Sequence, residues 1–395
     1  MTYAGILDRL AGLGGAKWGV HFATVKLAQT GRDVIDMTIG NPDVPTPDTL
    51  VETAVTAMRA GRTQYSNGPG ELNLRTVLAA RYSARSGRTV SADQILCFPG
   101  TQTSLYAVLM GLAEAGSEIL VGDPMYATYE GVVAASGARL VPVPLRPENG
   151  FRISAADIAA RITPATRAIL LNTPHNPTGA VLSTADLDAI GALAIKHDLW
   201  LISDEVYEEL IFDGVEFHSP FDRPELAERV VVVSSISKSH AAPGFRSGWV
   251  VGSEAFCAKL LPLSEVMLFG NQPFIADMTA AALAAPSPTA AGMRARFAGR
   301  ADRMAAALEA GTNLKVHRPD AGMFLLIDIR STGCGDENYA MDLLHREGVG
   351  VMPGSAFGAA LSGWVRVALT IEDDRFHEAT QRIMRHANAH TPIGA

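Results

Sequence analysis

Cysteine is scarce in this chain: only Cys97, Cys257 and Cys334 occur, far apart and odd in number. That scarcity argues against a disulfide framework or a thiolate zinc site, and it makes a reducing cytoplasm the expected home. Charge is low as well. Asp, Glu, Lys and Arg make up 19% of the 395 residues, the net charge is −8, and no run of Lys or Arg appears. Nucleic-acid binding, which needs a clustered basic surface, is therefore not expected. No apolar stretch approaches membrane-spanning length, so no membrane partner is expected. The opening residues Met1-Thr2-Tyr3-Ala4 lack the pattern of a secretory signal. No repeat or low-complexity linker is found. The 48% of hydrophobic residues suffices for a large core in two or three domains.

Through the middle of the chain, short apolar runs alternate with helical patterns, which predicts an α/β fold with a mainly parallel sheet. Ile119-Leu120-Val121, Ile169-Leu170-Leu171, Leu199-Trp200-Leu201-Ile202 and the four valines 230–233 read as strands. A helix is expected from Ser183 or Thr184, with Leu187, Ile190 and Ala194 on one face. Each run leads into polar residues: Asp123 and Tyr126, Asn172 and Asn176, Asp204 and Tyr207, Ser235 and Lys238. Open α/β sheets bind ligands beyond the carboxyl ends of their strands, so these four ends predict one shared site. After Ile327 the pattern shortens, with strands at 323–327, Gly350-Val351-Met352 and 365–368 among helices near 300–308 and 376–387. The expected division is a large domain 45–285 and a small α+β domain 286–395, with the segment 1–44 packed against the latter.

Ser235-Ile236-Ser237-Lys238, followed eight positions later by Arg246, carries the strongest local signal. A lysine fixed at the end of a rigid strand, with a lowered pKa, suits Schiff-base chemistry. The Ser235 hydroxyl and the Arg246 guanidinium suit a phosphate. An isolated lysine in such a place is ordinarily a solvated surface group; the two partners argue otherwise. Asp204-Glu205-Val206-Tyr207 offers a carboxylate able to keep a pyridine nitrogen protonated, although Asp204 alone would read as a helix N-cap. Pro99-Gly100-Thr101-Gln102-Thr103 opens a helix with Leu105, Val108, Leu109 and Leu112 on one face, and such a start presents free N–H groups to a phosphate. Gly12-Leu13-Gly14-Gly15 and Gly68-Pro69-Gly70 lack the context of a dinucleotide fingerprint. His175 and His240 lie near these motifs without metal-ligand spacing, and no metal is expected.

In order and spacing these segments resemble the fold-type I, class I/II aminotransferase family, from about Ile39 to Leu369. The matching stretches are Ile39-Gly40-Asn41-Pro42-Asp43, Tyr65 with Gly70 and Leu74-Arg75, Gly100-Thr101-Gln102, and Asp123-Pro124-Met125-Tyr126. Pro174-His175-Asn176-Pro177-Thr178-Gly179, Ser203-Asp204-Glu205-Val206-Tyr207, the Lys238 block, Pro353-Gly354-Ser355-Ala356-Phe357-Gly358 and Arg366 complete the series. The resemblance implies pyridoxal 5′-phosphate as cofactor, held by Lys238 as a Schiff base, with Lys238 then moving the substrate proton. It implies Asp204 at the pyridinium, Tyr207 and Asn176 at the phenolate oxygen, and Tyr126 stacked on the ring. Gly100, Thr101, Gln102, Ser235 and Arg246 are implied around the phosphate, joined by Tyr65 from the second subunit of a homodimer. Arg366, with Asn176 and the Gly40 backbone, is implied as the clamp for the α-carboxylate; the plain alternative is a surface strand arginine in an ion pair.

The activity so implied is ping-pong transfer of an amino group from an L-amino acid to a 2-oxo acid. Gln102 and Thr103 stand where members acting on aspartate or glutamate place a basic residue, and Met267-Leu268-Phe269-Gly270-Asn271 offers no arginine. A neutral or basic donor is therefore expected. Glu148-Asn149-Gly150-Phe151-Arg152, His197-Asp198-Leu199-Trp200 and Ser237-Lys238-Ser239-His240-Ala241 are similar to the family's arginine–pyruvate transaminases. A guanidinium donor wants a carboxylate in its pocket; Lys17-Trp18-Gly19-Val20-His21 supplies none, which leaves Asp43 and Glu71. An aspartate aminotransferase and a C–S β-lyase of the same fold stay open as alternatives. A ligand-sensing domain of a transcription regulator is disfavoured, because only a short segment precedes Ile39.

Overall fold

The computed structural model describes residues 2–13 and 17–390; Gly14 and Gly15 of the N-terminal glycine run lie outside them. Strand β1 (Ile35–Asp36) precedes seven strands: β2 (Ile95–Phe98), β3 (Glu118–Asp123), β4 (Arg139–Pro144), β5 (Thr166–Asn172), β6 (Trp200–Asp204), β7 (Val230–Ser235) and β8 (Gly248–Val251). These seven form one sheet in the order β2-β8-β7-β6-β5-β3-β4. All neighbours run parallel except β8, which is antiparallel to both β2 and β7. Every residue of β7 is buried, as are four of the five in β6. That is why these strands read as unbroken apolar runs: helices cover both faces of a parallel sheet. The parallel register sets Asn172 beside Asp204 and Asp204 beside Val233. Residues following β5, β6 and β7 therefore emerge together at one edge.

The helix Thr184–Lys196 starts where its cap predicts. The Asp186 N–H donates to the Ser183 hydroxyl while the Ser183 N–H donates back to the Asp186 carboxylate, and Leu187, Ile190 and Ala194 are buried.

Five more strands follow: β9 (Lys315–His317), β10 (Phe324–Asp328), β11 (Val349–Gly350), β12 (Met352–Pro353) and β13 (Trp364–Ala368). Four of them make an antiparallel sheet in the order β12-β13-β10-β9, while β11 pairs in parallel with β1. The single strand expected over Gly350-Val351-Met352 is thus two, because the residues on either side of Val351 bond to different sheets. Val20, Ile35 and Met37 share a core with Phe297, Leu325 and Phe376, so the N-terminal segment from Val20 onward packs against late elements of the chain. The helix Gly5–Leu10 instead packs on the helix Tyr129–Ser136 of the expected large domain, with Arg9 donating to the Ala134 carbonyl. The expectation that all of 1–44 joins the small domain therefore does not hold. The helix Pro288–Gly311, capped by the Ser287 hydroxyl, runs along this core. Among the described residues no helix is long and apolar enough to cross a membrane.

Candidate active site

A cavity of about 330 Å³ opens at the carboxyl edge of the parallel strands. Its walls include Gly40, Thr101, Gln102, Tyr126, Asn176, Asp204, Tyr207, Ser235, Lys238, Arg246 and Arg366. Of the residues singled out from sequence, Gly100 lies just behind this wall, against Arg246. Tyr65 is elsewhere: it is 91% exposed, its ring 5.9 Å from that of Phe269.

Lys238 reaches the cavity because β7 stops at Ser235. The Ser235 hydroxyl caps the short helix Ile236–Ser239 by accepting from the Ser237 N–H, and the chain turns inward. Lys238 Nζ donates to the Gly40 carbonyl at 2.9 Å. Burial, with Arg366 and Arg246 as like charges, pulls its pKa down to about 8. Gly40 admits nothing larger, since a Cβ there would collide with the Phe324 ring.

Asp204 is buried at the end of β6. Its carboxylate accepts from the Tyr129 hydroxyl at 2.7 Å and from the Val206 N–H at 3.2 Å, and burial pushes its pKa up to about 6. The residues after it form a turn and not a helix, so the N-cap reading fails. The Asn176 side-chain amide donates to the Tyr207 hydroxyl at 3.3 Å and its carbonyl accepts from Arg366 at 3.2 Å. Arg366 also donates to the Thr38 carbonyl at 2.6 Å. Its guanidinium lies 3.9 Å and 4.2 Å from the ring centres of Phe324 and Phe357, and its buried Nε has no partner among the described residues. Burial lowers its pKa to about 9, which leaves it cationic at neutral pH. A surface ion pair is excluded.

At the other end, the helix Thr101–Leu112 points its N-terminus at the cavity. Gly100 needs its positive φ of 84°, and a Cβ there would strike the Arg246 guanidinium. Arg246 itself is held at φ 52° and donates to the Pro243 carbonyl at 2.9 Å. The Thr101 hydroxyl is buried and has no partner among the described residues. An orphaned hydroxyl, two serine hydroxyls, a guanidinium and a helix N-terminus suit a phosphate. With a lysine, a buried carboxylate and a tyrosine–asparagine pair on the remaining walls, the set fits pyridoxal phosphate.

The sequence reading assigns no site role to Ser237 or Tyr129, both of which line the cavity. Ser237 sits one position before Lys238, and Tyr129 bonds Asp204. Tyr129 opens the helix Tyr129–Ser136 three positions after Tyr126, which lies in the loop before it, and their rings meet edge-on at 5.6 Å. Trp18 lines the cavity, but His21 instead bonds Thr38 at 2.6 Å. His175 bonds Thr178, and burial lowers its pKa to about 3, while His240 donates to the Ala282 carbonyl. Neither carboxylate expected for a basic donor is free. Asp43 accepts from Arg296 at 2.8 and 2.9 Å and from Arg300 at 2.7 Å. Glu71 accepts from Arg62 at 2.7 Å and from Ser66 at 2.8 Å, and neither acid lines the cavity.

Residues 32–383 match the model of a family described as aminotransferase class I and II. The chain is 44% identical over 383 residues to the arginine–pyruvate transaminase of Pseudomonas aeruginosa, covering 97% of each protein. It is 33% identical over 365 residues to aromatic-amino-acid aminotransferase 2 of Thermococcus litoralis, covering 90% of this chain and 92% of that one. Among solved structures it resembles a double mutant of Thermus thermophilus aspartate aminotransferase, with a TM-score of 0.92 at 28% identity, covering 98% of this chain and 100% of that one.

Proposed function

The chain belongs to the class I and II aminotransferases, and from that premise we propose how its own residues carry out the transfer and which donors it accepts. The family's enzymes use pyridoxal 5′-phosphate, and this protein is a transaminase acting between amino acids and 2-oxo acids. When bound, the cofactor supplies an electron sink for the reacting carbon. The carrying observation is the convergence of Lys238, Asp204 and Arg366 on one cavity.

Thr101, Ser235, Ser237 and Arg246 hold the phosphate, with Gly100 and Gln102 shaping the loop. Asp204 holds a proton on the pyridine nitrogen and is itself oriented by Tyr129. Tyr207 and Asn176 would bind the phenolate oxygen, and Tyr126 would lie against the ring. Arg366, fixed by Asn176, Thr38 and the two phenyl rings, orients the α-carboxylate through its unpartnered Nε. Lys238, whose lowered pKa makes loss of its proton easier, would take the proton from the donor Cα and return it.

We read residues 45–285 as the cofactor-binding domain and 286–395 as the small domain, joined by 20–44. The protein works as a cytoplasmic homodimer. Tyr65, Val266 and Phe269 are 91%, 88% and 64% exposed, which marks an apolar face suited to a second copy. Tyr65 then belongs to the partner's phosphate site.

The donor is a neutral or basic L-amino acid. The cavity's cations are all committed to cofactor or α-carboxylate, and Trp18, Ile39 and Phe324 line its remaining walls. A distal carboxylate would stay unpaired there. The 44% identical arginine–pyruvate transaminase makes arginine with pyruvate the first pair to test. Half-transamination spectra over a donor panel decide the matter: arginine or a neutral donor should exceed aspartate at least about tenfold in kcat/KM, a difference of ~1.4 kcal/mol. Aspartate as the best donor overturns this specificity.

A further inference from the structure

Away from the cavity, the C-terminal helix Asp373–His390 packs on the helix Asp336–Glu347. His386 and His390 lie one turn apart on the former and face Asp342 on the latter, their ligand atoms all within 4.8 Å of one another. We propose that Asp342, His386 and His390 form a binding site for a zinc-class divalent cation that clips the C-terminal helix to its neighbour.

The geometry carries this reading. His386 Nε2 lies 3.0 Å and His390 Nε2 3.2 Å from the same oxygen, Asp342 Oδ2. Ligands about 2.0–2.1 Å from a tetrahedral zinc are separated by about 3.3 Å, so each histidine nitrogen stands from Asp342 Oδ2 about as far as such an ion would hold it. The tautomer of His390 is the second observation. Its Nδ1 lies 2.8 Å from the His386 carbonyl, which only accepts, so the Nδ1 carries the proton. A neutral His390 therefore turns its Nε2 lone pair toward a carboxylate oxygen. Two lone pairs at 3.2 Å repel unless a cation lies between them, and either a proton or a metal ion serves. A metal-binding histidine with its second nitrogen on a backbone carbonyl is the usual arrangement.

His386 is buried, its ring fixed edge-on against Tyr339 at 4.6 Å, and its Nδ1 has no partner among the described residues. The polar contact of that ring is the one at Nε2. Arg346 donates to Asp342 Oδ1 at 2.8 Å and leaves Oδ2 to the site. Two imidazoles and one carboxylate select zinc or its late transition-metal neighbours over magnesium or calcium. A fourth position falls to water on the His390 side, where the side chain is 21% exposed.

The test uses untagged holoenzyme, stripped with EDTA and dialysed against zinc chloride, with bound zinc counted by mass spectrometry. One zinc per chain is expected, and His390→Gln and Asp342→Asn should each weaken zinc binding at least about tenfold. Circular dichroism verifies that both variants fold, so the count stands whether or not the transaminase reading does. None of the three residues lines the active cavity, and kcat should be unchanged in both variants. Undiminished zinc in His390→Gln, or no uptake by the wild type at micromolar zinc, overturns the site and leaves a protonated His390 as the cation.

Discussion

Lys238 is both a nucleophile that must lose its proton and a half-buried side chain, desolvated and with two arginines for neighbours. Without cofactor its folded-state pKa of about 8 lies below the unfolded 10.5. Between those values the unfolded chain binds more protons, so stability rises with pH; below about pH 8 the charged amine costs about 3 kcal/mol, at ~1.4 kcal/mol per pH unit. Lys238→Met apoprotein should therefore exceed wild type by about that amount below pH 8, with the gap closing toward pH 10.5 in urea titrations. A gap independent of pH would show that the amine is not desolvated. The same variant should lack the yellow absorbance and nearly all turnover. Asp204 and Tyr129 form a graded pair. Asp204→Asn should retain cofactor but lose roughly 10²–10³-fold in kcat, the scale of a preorganised charge at a reacting centre. Tyr129→Phe, which removes one hydrogen bond to that charge, should lose about tenfold. Equal losses would mean that Tyr129 touches the reaction directly.

At the scale of elements, Asp43 ties the N-terminal segment to the helix Pro288–Gly311. Its two arginine partners hold its carboxyl below the usual range against the opposing effect of burial. Asp43→Asn should cost about 3 kcal/mol, the low end for breaking a buried pair, because Arg300 keeps Asp373 and the Leu369 carbonyl. Urea midpoints should fall while the ratio of kcat/KM between donors stays constant; a changed ratio would return Asp43 to the pocket. This residue also shows where the sequence ceases to be legible. Strand ends were readable because an apolar run and the polar residue after it are neighbours in the chain, as with Ile202 and Asp204. The role of Asp43 was not, because Arg296 and Arg300 lie 253 and 257 positions away. The division at Val351 was hidden for the same reason: the pairing partners Ile35 and Val365 lie in distant segments. The His386–His390 spacing was visible in the helix, but not the carboxylate on the next helix that gives it meaning.

For the whole molecule, the test is complementation. A mixed dimer of Tyr65→Phe and Lys238→Met subunits contains one site with both native residues if Tyr65 crosses the interface, so mixing should raise activity above either parent. No gain on mixing would remove Tyr65 from the partner's site. One feature of the central sheet also limits how the protein can be rebuilt. Ser235 pairs with Gly248 across β7 and β8, so the chain leaves and rejoins the sheet at a single point, and Lys238 and Arg246 both lie on the connection between. Two anchors on one loop are geometrically inseparable. An insertion anywhere in 236–247 displaces both, whereas one at exposed Asn149, in a connection that contributes no cavity residue, displaces neither. For an engineer the span 230–251 is a cassette to be transplanted whole, and variation belongs on the opposite side of the sheet.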